Sequence, residues 1–191
     1  MTVKLLAFAG STRGGSLNQA LLDLAVAEAR ARGAEVTSIR LKDFVLPLYD
    51  GDLEASDFPA AARELKALFQ AHQGFLIASP EYNGSVSGVL KNAIDWVSRP
   101  TDGENLVALS AFRGKVAGLM AASISPFGGL RGITHMRQIL GTIQTLVATE
   151  QVLVPFAHGA FEEGALKEAL PAQLLGGLAA RVIELAERLA S

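Results

Sequence analysis

The chain contains a short segment, rich in glycine and hydroxyl groups, whose residue types favour binding of an anion. Residues 10–18 read Gly-Ser-Thr-Arg-Gly-Gly-Ser-Leu-Asn and lie between an apolar run and an amphipathic helical pattern. Unpaired N–H groups and the helix dipole attract negative charge to a helix N-terminus. Ser11, Ser16, Asn18 and the charged Arg13 add donors to the same small volume. The segment therefore predicts a phosphate site; the alternative is a solvated turn in which Ser16 only caps the helix.

The spacing of residues within this segment discriminates between the possible classes of phosphate ligand. Gly10 and Gly15 imitate the ends of a Walker A loop, but Ser16 and Leu17 stand where a lysine and then a serine or threonine are required. The dinucleotide fingerprint GxGxxG also fails, because Thr12 occupies the position of its second glycine. A terminal monophosphate ester therefore fits the segment better than a nucleoside triphosphate or a pyrophosphate.

A second unusual segment, Pro-Glu-Tyr-Asn-Gly-Ser at residues 80–85, follows another apolar run. It combines backbone N–H groups with a flat aromatic side chain and an amide, which suits a planar heterocycle that carries both donors and acceptors. The alternative is a tight turn in which Tyr82 is half buried. Residues 80–85 by themselves leave both interpretations open.

Several other chemistries are excluded by residues that are missing. The 191-residue chain has no cysteine, which excludes a thiolate nucleophile, a disulfide framework and iron–sulfur clusters. His72, His135 and His158 are far apart in sequence, and there is no HExxH pair, so we expect no metal site. No G-x-S-x-G nucleophile elbow is present, which argues against a hydrolase.

The composition bears on partners and location. There are 17 Lys+Arg against 19 Asp+Glu, a formal charge of −2, so no excess positive field favours nucleic acid or anionic lipid. Half of the residues are apolar and 19% are charged, below the usual quarter or so, which predicts a homodimer or homotetramer. The N-terminal apolar run of residues 5–10 is too short for a secretory signal, and we expect a cytoplasmic protein without a membrane span.

The hydrophobic pattern alternates between short apolar runs and longer amphipathic segments, which predicts an α/β fold with a parallel sheet. The predicted strands are 4–9, 35–41, 74–79, 115–122 and 144–149. The predicted helices are 17–32, 59–72, 86–98, 130–140 and 171–189. We expect one domain over residues 1–191. Ligands of such sheets bind beyond the carboxyl ends of the strands, so the loops 10–18, 80–85 and 123–129 should meet there.

Two segments of the sequence together resemble those of a known protein family. The segment at 10–18 and the longer segment PEYNGSVSGVLKNAIDWVSR at 80–99 are closely similar to the NADPH-dependent FMN reductases, which include flavin, quinone, azo-dye and chromate reductases. The resemblance implies a flavodoxin-like three-layer sandwich with strand order 2-1-3-4-5, bound FMN, and NADPH or NADH as the electron donor. It covers most of the chain.

The resemblance also implies roles for individual residues. The phosphate of FMN would be held by Ser11, Arg13, Ser16, Leu17 and Asn18. The isoalloxazine ring would be lined, largely through backbone groups, by Pro80, Glu81, Tyr82, Asn83 and Gly84. Residues 122–131 resemble the third flavin loop of the family, from which Ser123 is the expected contact. No side chain is expected to act as a catalytic residue, because the redox chemistry belongs to the flavin.

Two positions depart from the family pattern. Ser87 stands where many relatives have proline, which predicts a looser second loop, and Phe127 could narrow the approach to the flavin. Trp96 is either at the edge of the core or in a subunit interface. Lys91 and Asp95 are four residues apart on a helix, which favours a solvated pair over an intersubunit contact near the flavin.

The expected function is transfer of reducing equivalents from a nicotinamide through FMN to a small-molecule acceptor: a quinone, an azo compound, a metal oxyanion or free flavin. The alternative is a flavodoxin-like electron carrier or a flavin-binding regulator without turnover. Such carriers are usually strongly acidic, whereas this chain is nearly neutral, and the charge therefore favours the enzyme.

Overall fold

The computed structural model describes residues 2–190 and contains a five-stranded parallel sheet. Its order, β2-β1-β3-β4-β5, is the predicted one. The strands are β1 Lys4–Ala9, β2 Glu35–Arg40, β3 Gly74–Ala78, β4 Val116–Ala122 and β5 Leu146–Val154. The sheet order reverses between β1 and β3, so the loops that follow these two strands diverge and leave a crevice at the carboxyl edge.

Helices cover both faces of the sheet, as predicted. They are α1 Leu17–Ala31, α2 Gly51–Ser56, α3 Ala60–Ala71, α4 Gly88–Val97, α5 Leu130–Thr142 and α6 Ala169–Ala190. Side chains alternate along each strand, so Leu5 and Ala7 face α1 and α6, whereas Leu6 and Phe8 face α3, α4 and α5. Both faces of the central strands are therefore buried, which explains their continuous apolar runs.

The last strand of the sheet differs from its prediction. Residues 144–149 were expected, but β5 runs from Leu146 to Val154 and shifts its register against β4 between Ala117 and Leu119. Arg137 of α5 holds the irregular stretch by donating to the carbonyls of Ala148 and Thr149, at 2.8 and 3.3 Å. A bulge interrupts the alternation of buried and exposed side chains that identifies a strand. The hydrophobic pattern therefore predicted an end for this strand that was too early.

Short elements were missed altogether. The acidic segment that contains Asp50 and Asp52 forms α2, where the Asp50 carboxylate accepts a hydrogen bond from the Asp52 N–H at 2.8 Å. A small antiparallel hairpin, β6 Phe161–Glu162 with β7 Ala165–Leu166, precedes α6. Elements of this length bury too little apolar surface to leave a periodic pattern.

Trp96 belongs to the core of the chain rather than to a subunit interface. It is fully buried, and its indole N–H donates to the Pro47 carbonyl at 2.8 Å. Asn92 donates to the same carbonyl at 2.8 Å, and the rings of Tyr49 and Phe58 pack edge-on against the indole. These hydrogen bonds and ring contacts therefore hold the segment of residues 44–58 against α4.

Helix α6 is the one described helix that is long and apolar enough, by length and composition alone, to cross a membrane. In the fold its side chains Leu178 and Val182 are fully buried and pack on the sheet with α1. Core helices of soluble proteins meet the same length and composition criteria.

Candidate flavin site

A crevice of about 250 Å³ lies at the carboxyl edge of the sheet, between the loops that follow β1, β3 and β4. It is lined by nine of the residues predicted for the cofactor: Ser11, Arg13, Ser16, Leu17, Asn18, Pro80, Glu81, Tyr82 and Ser123. Ala122 and Ile124 complete the lining. The predicted residues Asn83 and Gly84 lie outside it, at the tip of the second loop. The three loops therefore meet as the topology requires.

The first loop presents the N-terminus of α1 to the crevice. Ser16 is the N-cap, and its hydroxyl oxygen accepts a hydrogen bond from the Gln19 N–H at 3.3 Å. Capping is thus one role of Ser16, but its hydroxyl hydrogen and the first N–H groups of the helix remain available to an anion. Arg13 is exposed and makes only a long contact of 3.4 Å, to the Gly15 carbonyl. A phosphate here would find a helix terminus and a guanidinium together.

Gly10 is required by the close approach of α4 to the first loop. A Cβ at this position would lie 2.8 Å from the Leu90 side chain and 3.1 Å from the Ser87 hydroxyl. The Ser87 hydroxyl is fully buried, donates to the Gly10 carbonyl at 2.6 Å and caps α4. The expectation that Ser87 loosens the second loop is wrong: the hydroxyl ties the start of α4 to the first loop.

Asn18 has a different role from the one expected for its amide. The side chain is buried, with its Nδ2 donating to the Ala122 carbonyl at 2.8 Å and its Oδ1 accepting from the Ala122 N–H at 2.9 Å. These two bonds imitate a strand partner for the last residue of β4. Asn18 therefore fixes the first loop against the third, and one remaining Nδ2 hydrogen and its backbone N–H face the crevice side.

The second loop is a tight hairpin. Tyr82 and Ser85 pair in both directions at 2.9 and 3.0 Å, with Asn83 and Gly84 in the left-handed region at φ 51° and 75°. Two such residues form the turn that matches strand twist. Within the described chain, the N–H groups of Asn83 and Gly84 have no acceptor. The Tyr82 side chain is 53% exposed, as the alternative of a tight turn with a half-buried Tyr82 predicts, and it also lines the crevice.

Glu81 anchors this hairpin to α5. Its side chain is 5% exposed and forms an ion pair with Arg131. The carboxylate also accepts hydrogen bonds from the N–H groups of Arg131 and Gly132, at 3.0 and 3.3 Å. Burial alone would raise the pKa of the Glu81 carboxyl, but the bonds from Arg131 and Gly132 outweigh burial and lower it. Glu81 thus lines the site, and its carboxylate is bound by the first residues of α5.

Because the folded-state pKa of Glu81 is lowered, its stabilisation is present above the ordinary carboxyl pKa and is lost as the pH falls through the lowered value. We expect Glu81→Gln to reduce the free energy of unfolding by about 2 kcal/mol at pH 7. The difference from the unmodified protein should shrink in urea titrations at progressively lower pH. Glu28→Gln, which removes a half-exposed partner of Arg32 on α1, is the matched control and should change stability by less than about 1 kcal/mol. A pH-independent difference would contradict the assignment.

The third loop begins at Ser123 and ends at the start of α5. Ser123 accepts from the Ser125 N–H at 3.2 Å, and its own N–H donates to the Val154 carbonyl at 3.0 Å. Gly129 has φ 90°, and a Cβ there would lie 2.6 Å from the Ala121 Cβ. The double glycine is therefore needed to start α5 this close to β4.

Phe127 does not narrow the crevice. Its ring is 57% exposed and lies outside the lining residues, with the Arg131 guanidinium 5.1 Å above its centroid. Lys91 and Asp95 form the expected ion pair within α4, with 2.7 Å between Nζ and the carboxylate and both side chains partly exposed. His135 is exposed, and a ring nitrogen is hydrogen-bonded to the Ser85 hydroxyl at 2.9 Å.

Sequence reasoning missed some residues that shape the site. Arg131 acts through an ion pair with Glu81, which is fifty positions away in sequence. The only sequence feature that suggested a role for Arg131 was its position at the start of a helix. Ile124 lines the crevice with an apolar side chain that is 68% exposed, for which the local sequence carries no signal. Glu150 and Gln151 lie beyond the predicted strand 144–149 but within the observed β5, and their side chains bind Arg181 and Arg137.

The fold and the crevice together define a flavodoxin-like FMN-binding protein, with the ligand site at the point where the strand order reverses. The chain belongs to the NADPH-dependent FMN reductase family, whose model matches residues 3–159. It is accordingly an oxidoreductase that uses FMN and a nicotinamide.

Individual relatives agree with this assignment. The chain is 38% identical to the NAD(P)H-dependent FMN reductase of Pseudomonas aeruginosa over 162 residues, which cover 84% of this chain and 82% of the relative. It is 34% identical to the 2-hydroxy-1,4-benzoquinone reductase of a Burkholderia species, over 78% and 76% of the two chains. Among solved structures, FerB, a flavoenzyme NAD(P)H:(acceptor) oxidoreductase from Paracoccus denitrificans, superposes with a TM-score of 0.79 at 25% identity and 98% coverage of both chains.

Proposed function

We propose that the protein passes reducing equivalents from NADH or NADPH through FMN in the described crevice to a quinone-type acceptor. When bound, FMN supplies the redox chemistry, because it can take a hydride from a nicotinamide and give two electrons to an acceptor. The family assignment supports the cofactor. The residues of this chain determine how the cofactor is held and which side of it stays open.

The observation that carries the proposal is the meeting of two different binding surfaces in one crevice. The N-terminus of α1 and Arg13 suit a phosphate ester, and the exposed Tyr82 ring suits a heterocycle. The Asn83 and Gly84 N–H groups, which have no acceptor among residues 2–190, lie just outside the crevice at the tip of the same hairpin. The crevice volume of about 250 Å³ is slightly below the range of about 300–1,000 Å³ that is usual for ligand pockets. A flavin held there would keep one face uncovered for the donor and the acceptor in turn.

Each loop has its own task in this proposal. Arg13, Ser11, Ser16, Leu17 and Asn18 hold the phosphate end, with Asn18 acting mainly by joining β4 to α1. Pro80 to Gly84 line the ring, and Glu81 holds this hairpin on α5. Ser123 borders the ring from the third loop. None of these side chains needs to act as a nucleophile or a general acid, and the protein contributes alignment.

The acceptor is proposed from the names of relatives. One relative is called a 2-hydroxy-1,4-benzoquinone reductase, and the quinone reductase of Escherichia coli is 39% identical over 53% of this chain and 51% of its own. Azo compounds, metal oxyanions and free flavin are further candidates. We also propose that the chain acts as one soluble, cytoplasmic domain and assembles as a homodimer or homotetramer.

An electron carrier is the second candidate, because the flavodoxin of Streptococcus pneumoniae shares the fold, with a TM-score of 0.59 at 11% identity. Anaerobic mixing with NADH or NADPH separates the two functions. For the reductase, the absorbance of the bound flavin is bleached by at least one nicotinamide, and 1,4-benzoquinone restores it. A carrier would keep its flavin oxidised with both nicotinamides, and this result would contradict the proposed function.

A further inference from the structure

A second cavity opens on the far side of the third loop from the flavin crevice. Its volume is about 280 Å³, and it lies between the end of β5, the β6–β7 hairpin and the start of α6. The cavity is lined by Phe156, His158 and Glu168, together with Pro155 and Pro171. Neither the proposed flavin contacts nor the described core accounts for this cavity.

The cavity and the flavin crevice share a wall. Ser123, which lines the crevice, donates through its N–H to the carbonyl of Val154 and accepts at its carbonyl from the Ala157 N–H, both at 3.0 Å. Val154 lines the second cavity. The segment that borders the flavin crevice is therefore hydrogen-bonded to the segment that lines the second cavity, so the two sites are neighbours at the carboxyl edge of the sheet.

An aromatic side chain stands exposed at the cavity under backbone strain. Phe156 has φ 47°, in the left-handed region that a bulky residue seldom adopts, and its side chain is 57% exposed. The N–H of Phe156 donates to the Ser125 carbonyl at 3.3 Å, so the third loop helps to hold it there. Strained positions of this kind cluster at ligand sites, and an exposed flat ring suits stacking of a purine base.

Two ionisable side chains at the rim lack partners. Within residues 2–190, neither His158 nor Glu168 makes a side-chain hydrogen bond or ion pair, although both line the cavity. A carboxylate placed beside a nucleoside accepts hydrogen bonds from the ribose hydroxyls, as in NAD sites, whereas NADP sites use an arginine for the 2′-phosphate. No lysine or arginine lines this cavity, and the neighbouring Lys167 ammonium is directed to Glu162 at 4.0 Å.

We infer that this cavity binds the adenosine half of the nicotinamide donor, with the base on Phe156 and the ribose hydroxyls on Glu168, and that it selects NADH over NADPH. The inference rests on the proposed function, because it assigns the tail of the donor used at the flavin. Selection follows from charge: the Glu168 carboxylate repels a 2′-phosphate that no cation compensates.

The test is isothermal titration of the FMN-loaded protein with ADP-ribose and with 2′-phospho-ADP-ribose, which carry the donor's tail without its nicotinamide. We expect ADP-ribose to bind about tenfold more tightly than its 2′-phosphate. Glu168→Gln should narrow this preference to about twofold, because it removes the repelling charge. Glu163→Gln, at the exposed tip of the β6–β7 hairpin and outside the cavity lining, is the matched control and should keep the preference.

Phe156→Asn separates binding from folding. Asparagine tolerates the left-handed backbone, so the variant should unfold at the same or a higher temperature, yet bind ADP-ribose about fivefold more weakly. Tighter binding of the 2′-phosphate, or affinities that neither Glu168→Gln nor Phe156→Asn changes, would overturn the inference. If the flavin is bleached by NADH while ADP-ribose fails to bind, the inference fails and the proposed function stands; a flavin that no nicotinamide bleaches refutes the proposed function itself.

Discussion

Arg13→Ala should bind FMN about thirtyfold more weakly than the unmodified protein while keeping its fold. The guanidinium is exposed beside the α1 N-terminus and is held by little within the chain, only a contact of 3.4 Å to the Gly15 carbonyl. Removing a charged hydrogen bond to a phosphate costs about 2 kcal/mol, which corresponds to the thirtyfold loss. Quenching of flavin fluorescence during titration of the apoprotein measures the change directly.

Arg32→Ala is the matched control for this experiment. Arg32 lies at the opposite end of the same helix, where it pairs with Glu28, so the variant removes the same charge from α1 without touching the crevice. Its affinity for FMN should stay within about twofold of the original, because charges this far apart are screened by salt. Equal losses in both variants would mean that net charge, and not a contact with the phosphate, sets the affinity.

Asn18→Leu should lower the free energy of unfolding by about 3 kcal/mol and weaken FMN binding at the same time. Leucine leaves the N–H and the carbonyl of Ala122 without the partners at 2.9 and 2.8 Å that Asn18 provides. Each unpaired buried polar group costs about 1–3 kcal/mol. For a chain of this size the melting temperature should fall by about 6–12 °C, which thermal unfolding followed by circular dichroism would show.

The neighbouring residue provides the comparison for Asn18→Leu. Gln19 is on the same turn of α1, but its side chain reaches only Asp23, at 2.8 Å on the surface. Gln19→Leu should therefore change stability by less than about 0.5 kcal/mol and leave FMN affinity unchanged. If Asn18→Leu were as stable as Gln19→Leu, the hydrogen bonds between Asn18 of α1 and Ala122 of β4 would not stabilise the fold as proposed.

The strands of the sheet and the place of the crevice could be predicted because they follow from patterns that are local in sequence, whereas the order of the strands came from the family resemblance. The strand Lys4–Ala9 was predicted with its observed ends, since a strand buried on both faces is a continuous apolar run bounded by polar residues. The end of β5 was not, because Arg137 supports a bulge there through tertiary hydrogen bonds. Such support leaves no trace in the pattern of β5 itself.

The candidate site likewise has features that could be predicted from the sequence and features that could not. Residue types in the first two loops were enough to predict a phosphate and a flat heterocycle, because helix termini and tight turns are short-range features. The geometry of Asn18 and Glu81 was not predictable, since their partners are 104 and 50 residues away in the chain. Both side chains hold loops together, a structural role that the expected ligand contacts did not include.

Comparing FMN with riboflavin in equilibrium titrations of the apoprotein tests the central claim most directly. The two flavins share the ring and differ in the phosphate, so the comparison isolates the anchor at the N-terminus of α1. The account predicts one FMN per chain and at least about hundredfold weaker binding of riboflavin, since the helix terminus and Arg13 both lose their ligand. Equal affinities for the two flavins, or no binding of either, would contradict it.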